Sequence, residues 1–270
     1  VQYRLGGPSA AARLGAVAAL VRSVTPVSLN TPHTGATKYK EGVPAIPAAA
    51  ITVEDAAQLH RLQDDGLTPR LRLKMAAQHH GEVPSANVIA ELAGREKPDE
   101  FVLVSCHIDS WDVGQGAQDD GAGCVMAMEA IRLISELDYR PRRSIRAVLY
   151  TNEENGVGGG VAYAEATEDR HVAVLEADIG CGPALGWRLD LGEGPDREIS
   201  GAQYARAETL MRPIQSALEV LGGGGLRRGY AGADIKSLVA ATCTDSRRLA
   251  KKVEDFVGVE RVADLIQPVT

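Results

Sequence analysis

Three apolar runs limit what this chain can fold into. Phe101 to Val104, Ser144 to Tyr150 and Val172 to Leu175 have the length and the Val, Leu and Ile content of buried strands. Between the first two, Cys124, Ala127, Met128, Ile131 and Ile134 recur at helical steps, which places them on one face of a helix from Gly121 to Leu137. Between the second and third, a glycine-led helix runs through Tyr163. Strands alternating with helices specify an α/β fold.

Each run delivers acidic residues. His107 and Asp109 follow the first, and a period of two puts both side chains on the same side. That spacing lets a carboxylate support a metal-bound imidazole. Asp119 and Asp120 come next, ahead of Gly121-Ala122-Gly123, in a loop that opens the helix. The second run ends in Asn152-Glu153-Glu154, and the third in Glu176-Ala177-Asp178. In an open α/β sheet, ligands gather outside the carboxyl ends of strands. One imidazole among several carboxylates, with a position left for water, describes a catalytic zinc site better than a structural one.

Taken singly, these groups have ordinary explanations. His107 alone reads as a satisfied core imidazole, Glu153-Glu154 as a solvated pair, and Asp119-Asp120 as a helix cap. Their arrival at successive strand ends favours the metal site. Gly156 to Gly160 is not a phosphate loop, because no GK[ST] follows and its neighbours are acidic.

The blocks HIDSWDVGQGAQDDGAG, TNEENGVGG and LEADIG resemble the metal-binding blocks of the M28 family of zinc peptidases. The likeness extends upstream through GAVAALVRSV and PHTGATKYKEGVPAIPAAAITVEDA, and downstream to GADI. It implies a mixed β-sheet flanked by helices, an α/β/α sandwich, and a dipeptidase or carboxypeptidase-type exopeptidase acting on small peptides. Two zinc ions are implied. His107 and Asp178 would bind one, Asp119 would bridge, and Glu154 would bind the other. Glu153 would be the general base, and Asp109 would orient His107. The family takes a further zinc ligand from a histidine near the end of the catalytic domain, but no histidine follows His171 here. The second zinc would then have only Asp119, Glu154 and water, and would be weakly held. His171 cannot replace the missing ligand. It lies seven residues before Asp178, roughly 23 Å along a strand at about 3.3 Å per residue. Nothing in the sequence brings His33, His60, His79 or His80 to the site.

Composition narrows the classes further. A net charge of −7, with no basic cluster interleaved with aromatics, argues against a nucleic-acid binder. No apolar run reaches the length of a membrane span, and no signal-peptide pattern is seen at the N-terminus. An exported address, secreted or periplasmic, is implied by the resemblance alone, which also leaves a homodimer open. The cysteines, Cys106, Cys124, Cys181 and Cys243, make no CxxC pair and read as small buried thiols.

Two sections are expected. Residues 1–84 match part of a protease-associated-type domain, and 85–270 form the peptidase domain. In the first, Ala10 to Val24 reads as a helix, Ala48 to Ile51 as a strand, and Thr52 as the cap of a helix with Asp55 three positions on. Gly66 ends that helix, and Arg70 to Met75 reads as another strand. In the second, Asn87 to Leu92 is a strand and Gly94 to Glu100 a turn. Trp187 to Leu191 alternates like an exposed strand. Gln203 to Leu221 is a helix with a kink or break at Pro213, and Gly222 to Gly225 a flexible connection. Asp245 to Ile266 reads as a helix packed on the sheet. The interval Lys236 to Thr244 offers no ligand better than Cys243. The catalytic elements that the family places ahead of the insert are missing, which implies a shortened family member. A different class of function is therefore also open: a non-catalytic relative that keeps one metal or none and serves as an interaction module.

Overall fold

The computed structural model describes residues 2–238, apart from 26–29, 33–36, 79, 112–113, 179–181, 183–184, 192–197, 230–231 and 237. The reading of Asp245 to Ile266 and most of the Lys236–Thr244 interval, with Cys181 and Cys243, falls outside the described residues. Two compact units divide after Pro84.

The first unit contains α1 (Gln2–Arg13), β1 (Ala19–Arg22), β2 (Ala48–Ile51) and α2 (Val53–Asp64). β1 and β2 pair in parallel, with Ala19 opposite Ala48 and Arg22 opposite Ile51. The Thr52 side chain accepts the Asp55 N–H at 3.0 Å, as the cap pattern requires. Two expectations fail. Ala10 to Val24 is not one helix: α1 stops at Arg13, Gly15 has φ 85, and Ala19 to Arg22 become β1. Nor is Arg70 to Met75 a strand. Alternation makes a strand only where a neighbour satisfies the backbone, and none of the described residues pairs there; Leu71, Leu73 and Met75 are exposed.

The second unit runs β3 (Val88–Leu92), β4 (Lys97–His107), α3 (Gly121–Glu136), β5 (Arg143–Tyr150), α4 (Gly158–Ala166), β6 (Arg170–Glu176), β7 (Gly186–Leu189), α5 (Gly201–Glu219) and β8 (Gly225–Arg228). Its main sheet has the order β3-β5-β4-β6. β3 is antiparallel to β5, whereas β4 lies parallel to both β5 and β6. This is the expected mixed sheet flanked by helices.

The period of two sorts the strand side chains into two cores. Leu103, Val148 and Tyr150 pack with Tyr163 of α4 and with Ile235 and Leu238 on one face. Cys106, Ala147 and Leu149 pack with Cys124 and Ala127 of α3 on the other. Met128 is not part of that packing; it is 50% exposed, one position past Ala127 and so about 100° round the helix. β4 also begins inside the expected turn at Gly94 to Glu100. Lys97 already pairs with Arg143 across an irregularity, and buried Glu100 bonds Arg143 at 2.6 Å and Arg170 at 2.7 Å. α5 starts at a capping box formed by Ser200 and Gln203 and continues past Pro213. Gly225 opens β8, parallel to β7, rather than closing a loose connection.

Candidate metal centre

Because β4, β5 and β6 are parallel neighbours, their carboxyl ends share one edge. His107 is level with Tyr150, and Ser105 with Glu176. Asp178 follows two residues beyond Glu176, past the end of β6. The loop after β5 then brings Glu153 and Glu154 to the same edge.

His107 is 1% exposed and fixed at three atoms. Its N–H donates to Asp120 Oδ2 at 3.0 Å, and its carbonyl accepts from the Cys124 thiol at 3.1 Å. Ring Nδ1 lies 3.0 Å from the Asp109 carbonyl oxygen. That leaves Nε2 facing Asp119 Oδ1 at 3.1 Å and Asp178 Oδ1 at 3.4 Å. With Nδ1–H given to a carbonyl, Nε2 is the ligating nitrogen.

Asp109 does more than the sequence implied. Its carboxylate lies 3.6 Å from the His107 ring, but its hydrogen bonds are with the other arm of the site. Oδ1 accepts the Glu153 N–H at 2.9 Å, and Oδ2 the Glu154 N–H at 3.2 Å. The glutamate loop is further pinned by Asn87, whose side chain accepts from Thr151 N–H and donates to the Gly159 carbonyl. A Cβ on Gly159 would lie 2.4 Å from the Thr151 oxygen, so the loop closes this tightly only with glycine there. Val157, just before α4, has φ 55, a conformation rare for a β-branched residue.

Asp120 was legible only as a cap. It does cap α3, accepting the Gly123 N–H at 3.0 Å, but its other oxygen holds His107. Gly123 is confined for the same reason: a Cβ there would lie 1.9 Å from the Ala177 oxygen and 2.2 Å from Asp120 Oδ1. The start of α3 thus presses against the chain between β6 and Asp178.

Ligand-capable atoms converge in two overlapping groups, His107 with Asp119 and Glu154, and His107 with Asp120 and Asp178. In each, the atoms lie within 4.8 Å of one another. Burial pushes the Glu154 carboxyl up to about 7, helped by Asp119 and Glu153. It pushes Asp120 up to about 6 against the pull of its hydrogen bonds, and raises Glu153 likewise, with Asp178, Asp109 and Asp119 adding to it. Burial opposes charge on His107 too, but Asp178 and the surrounding carboxylates outweigh it and lift the imidazole to about 10. Glu154 Oε1 is buried without a hydrogen-bond partner among the described residues. An acid-crowded edge with an orphaned carboxylate oxygen and an imidazole as its one nitrogen donor fits a divalent cation of the zinc class.

Glu176, named in the sequence only as a strand-end acid, and Asp234 of GADI form a second acid pair to which the sequence reading gave no role. Glu176 Oε2 accepts the Ile235 N–H at 3.1 Å, and burial raises its carboxyl to about 7. Asp234 is buried with both oxygens unpartnered among the described residues, its carboxyl pushed up to about 8 by burial and by Glu176. Within GADI only a buried position marks it.

Among the described residues of the second unit, His171 stands apart from these groups. His171 sits opposite Phe101, at the far end of the sheet, with Nε2 against the Tyr163 hydroxyl at 2.9 Å. His60 faces Asp64 in the first unit, His80 is exposed, and His33 and His79 lie outside the described residues.

Residues 87–204 match Peptidase family M28. Carboxypeptidase Q of Xenopus laevis is 42% identical over 245 residues, 89% of this chain and 50% of that protein. Carboxypeptidase Q of Homo sapiens is 41% identical over 224 residues, 82% of this chain and 45% of that protein. The chain therefore spans about half the length of the curated relatives it matches. A solved structure of a peptidase M28 precursor from Shewanella amazonensis superposes with a TM-score of 0.76 at 31% identity, covering 93% of this chain and 61% of that one. With the sheet order, the strand-end acids and this likeness in agreement, the chain belongs to peptidase family M28.

Proposed function

We propose that this chain is a zinc-dependent exopeptidase that hydrolyses dipeptides or other small peptides, with Glu153 as general base. The observation that carries this is the approach of Asp119 and Asp178 to His107 Nε2, at 3.1 and 3.4 Å. His107, Asp119 and Asp178 would hold one zinc, and Asp119 with Glu154 a second, weaker one. Bound zinc supplies Lewis acidity, lowering the pKa of a water and stabilising negative charge on the scissile carbonyl oxygen.

The chain's own residues do the rest. The Glu153 carboxylate takes the water's proton and passes it to the leaving amine. Its upward shift in pKa, caused by burial and the neighbouring carboxylates, makes it a better proton acceptor than an exposed glutamate. Asp109 keeps Glu153 and Glu154 at the sheet edge by holding both backbone N–H groups. Asp120 and the Asp109 carbonyl fix His107 from two sides. Residues 1–84 would be part of a protease-associated-type insert, and those from Ser85 onward the peptidase domain.

One observation favours a second reading, a non-catalytic relative that keeps a single metal: the interval Lys236 to Thr244, just after GADI, holds no histidine. Zinc content per chain, measured with dipeptide hydrolysis in added zinc, separates the two. Turnover that Glu153→Gln abolishes supports the peptidase. At most one zinc with no turnover supports the module.

A further inference from the structure

His107 ends β4, and among the described residues the ladder with β6 stops at Ser105 and Glu176. The Ser105 carbonyl still accepts the Ala177 N–H at 2.9 Å, and the Ile108 N–H still reaches the Tyr150 carbonyl at 2.8 Å. The His107 carbonyl, two residues past Ser105, is taken by the Cys124 thiol at 3.1 Å. Cys124 lies in the first turn of α3, beneath the Asp120 cap, and its thiol interacts with that of Cys106 on β4. Both cysteines are buried and free, and neither has a part in hydrolysis. A buried carbonyl needs a donor, and here that donor is a side chain of the helix that also holds the His107 N–H.

We propose that Cys124 is a positioning residue for the metal site, setting the aim of the His107 ring by holding its main-chain carbonyl. This rests on the proposed zinc role of His107. Asp120, the cap of α3, and Cys124, in its first turn, grip the two sides of one residue, so the start of the helix sets the direction of Nε2. Cys106 packs beside the thiol in the same core. Partners one bond removed from a ligand commonly affect metal affinity strongly. A further consequence is that a reagent able to block Cys124 would loosen the centre without touching a ligand.

The full chain tests this with Cys124→Ala, which removes the donor at little change in volume, and Cys124→Ser, which keeps one. Zinc affinity is measured by chelator competition, and melting of the metal-free protein alongside it. NMR of the His107 ring in metal-free protein gives a readout that needs no metal. The expected result is about tenfold weaker zinc binding in Cys124→Ala, substantial recovery in Cys124→Ser, and similar metal-free melting in both. The His107 ring signals should be single and sharp in the wild type and Cys124→Ser, but broadened or doubled in Cys124→Ala. Unchanged ring signals in Cys124→Ala would overturn the inference, as would equal losses in both variants with lowered metal-free melting. A wild type that binds no zinc while the ring signals follow the expected pattern would instead remove the zinc role and leave the positioning role in place.

Discussion

The Asp109 carboxylate accepts the backbone N–H of Glu153 at 2.9 Å, although the two residues come from loops after different strands. With the Glu154 N–H on its other oxygen and the His107 ring on its carbonyl, Asp109 ties the imidazole arm of the site to the carboxylate arm. Asp109→Asn leaves one acceptor and turns the other into a donor that faces an N–H. We expect about 10- to 100-fold weaker zinc binding, with turnover falling in parallel. Zinc titration and dipeptide assays on the purified variant measure both effects.

Asp120 is nearly sealed from solvent and serves as both a helix cap and a His107 anchor. Asp120→Ala removes a cap and leaves a buried N–H unpaired. The expected loss is about 2 kcal/mol of stability, read as a shift of the urea midpoint at unchanged m-value.

Gly123 has no room for a methyl group, since the nearest atoms belong to Ala177 and to Asp120. Gly123→Ala should push α3 off the end of β6 at a cost of about 1–3 kcal/mol. Zinc affinity should drop with it, because the Asp120 carboxylate moves too. Thermal melting with and without zinc measures both.

The metal-free protein should lose stability as pH rises. Glu154, Glu176 and Asp120 have carboxyls raised to about 7, 7 and 6, and Asp234 to about 8. The folded state therefore holds more protons than the unfolded chain, and ∂ΔG/∂pH is negative. His107, raised to about 10, acts in the same direction: its stabilisation is complete below the ordinary imidazole pKa and is lost toward pH 10. In the chelator-treated protein, Tm should fall steadily from about pH 5 to 9. Zinc should flatten that slope, since it takes over the charge balance the protons provide.

His171 supplies the control. It hydrogen-bonds Tyr163 at the opposite end of the sheet, so His171→Ala should lower stability by about 1–2 kcal/mol while leaving zinc content unchanged.

Much of this arrangement was legible in the sequence because it depends on local periods. Runs of Val, Leu and Ile marked β4, β5 and β6, and in parallel strands residues just past each run must share an edge. His107, Asp119, Glu154 and Asp178 followed from that geometry together with the family likeness. What could not be read depends on long-range partners. Asp120 looks like any helix cap until His107 N–H is seen on its second oxygen. Asp109 looks like a histidine partner until the Glu153-Glu154 amides occupy its carboxylate. Leu71, Leu73 and Met75 alternate like a strand, yet no neighbouring strand among the described residues pairs with them. Glu100 looked like part of a turn because its charge argues against burial. The guanidinium groups of Arg143 and Arg170 compensate it, and no local pattern could have indicated that.

X-ray absorption on zinc-loaded wild type and His107→Ala most directly tests whether the strand-end acids and His107 form one metal centre. The wild type should retain zinc with an imidazole in a shell of oxygen and nitrogen atoms at about 2.0–2.2 Å, and His107→Ala should lose that imidazole signal with most of the metal. Zinc absent from the wild type after dialysis, or bound in a sulfur shell near 2.3 Å, would contradict it.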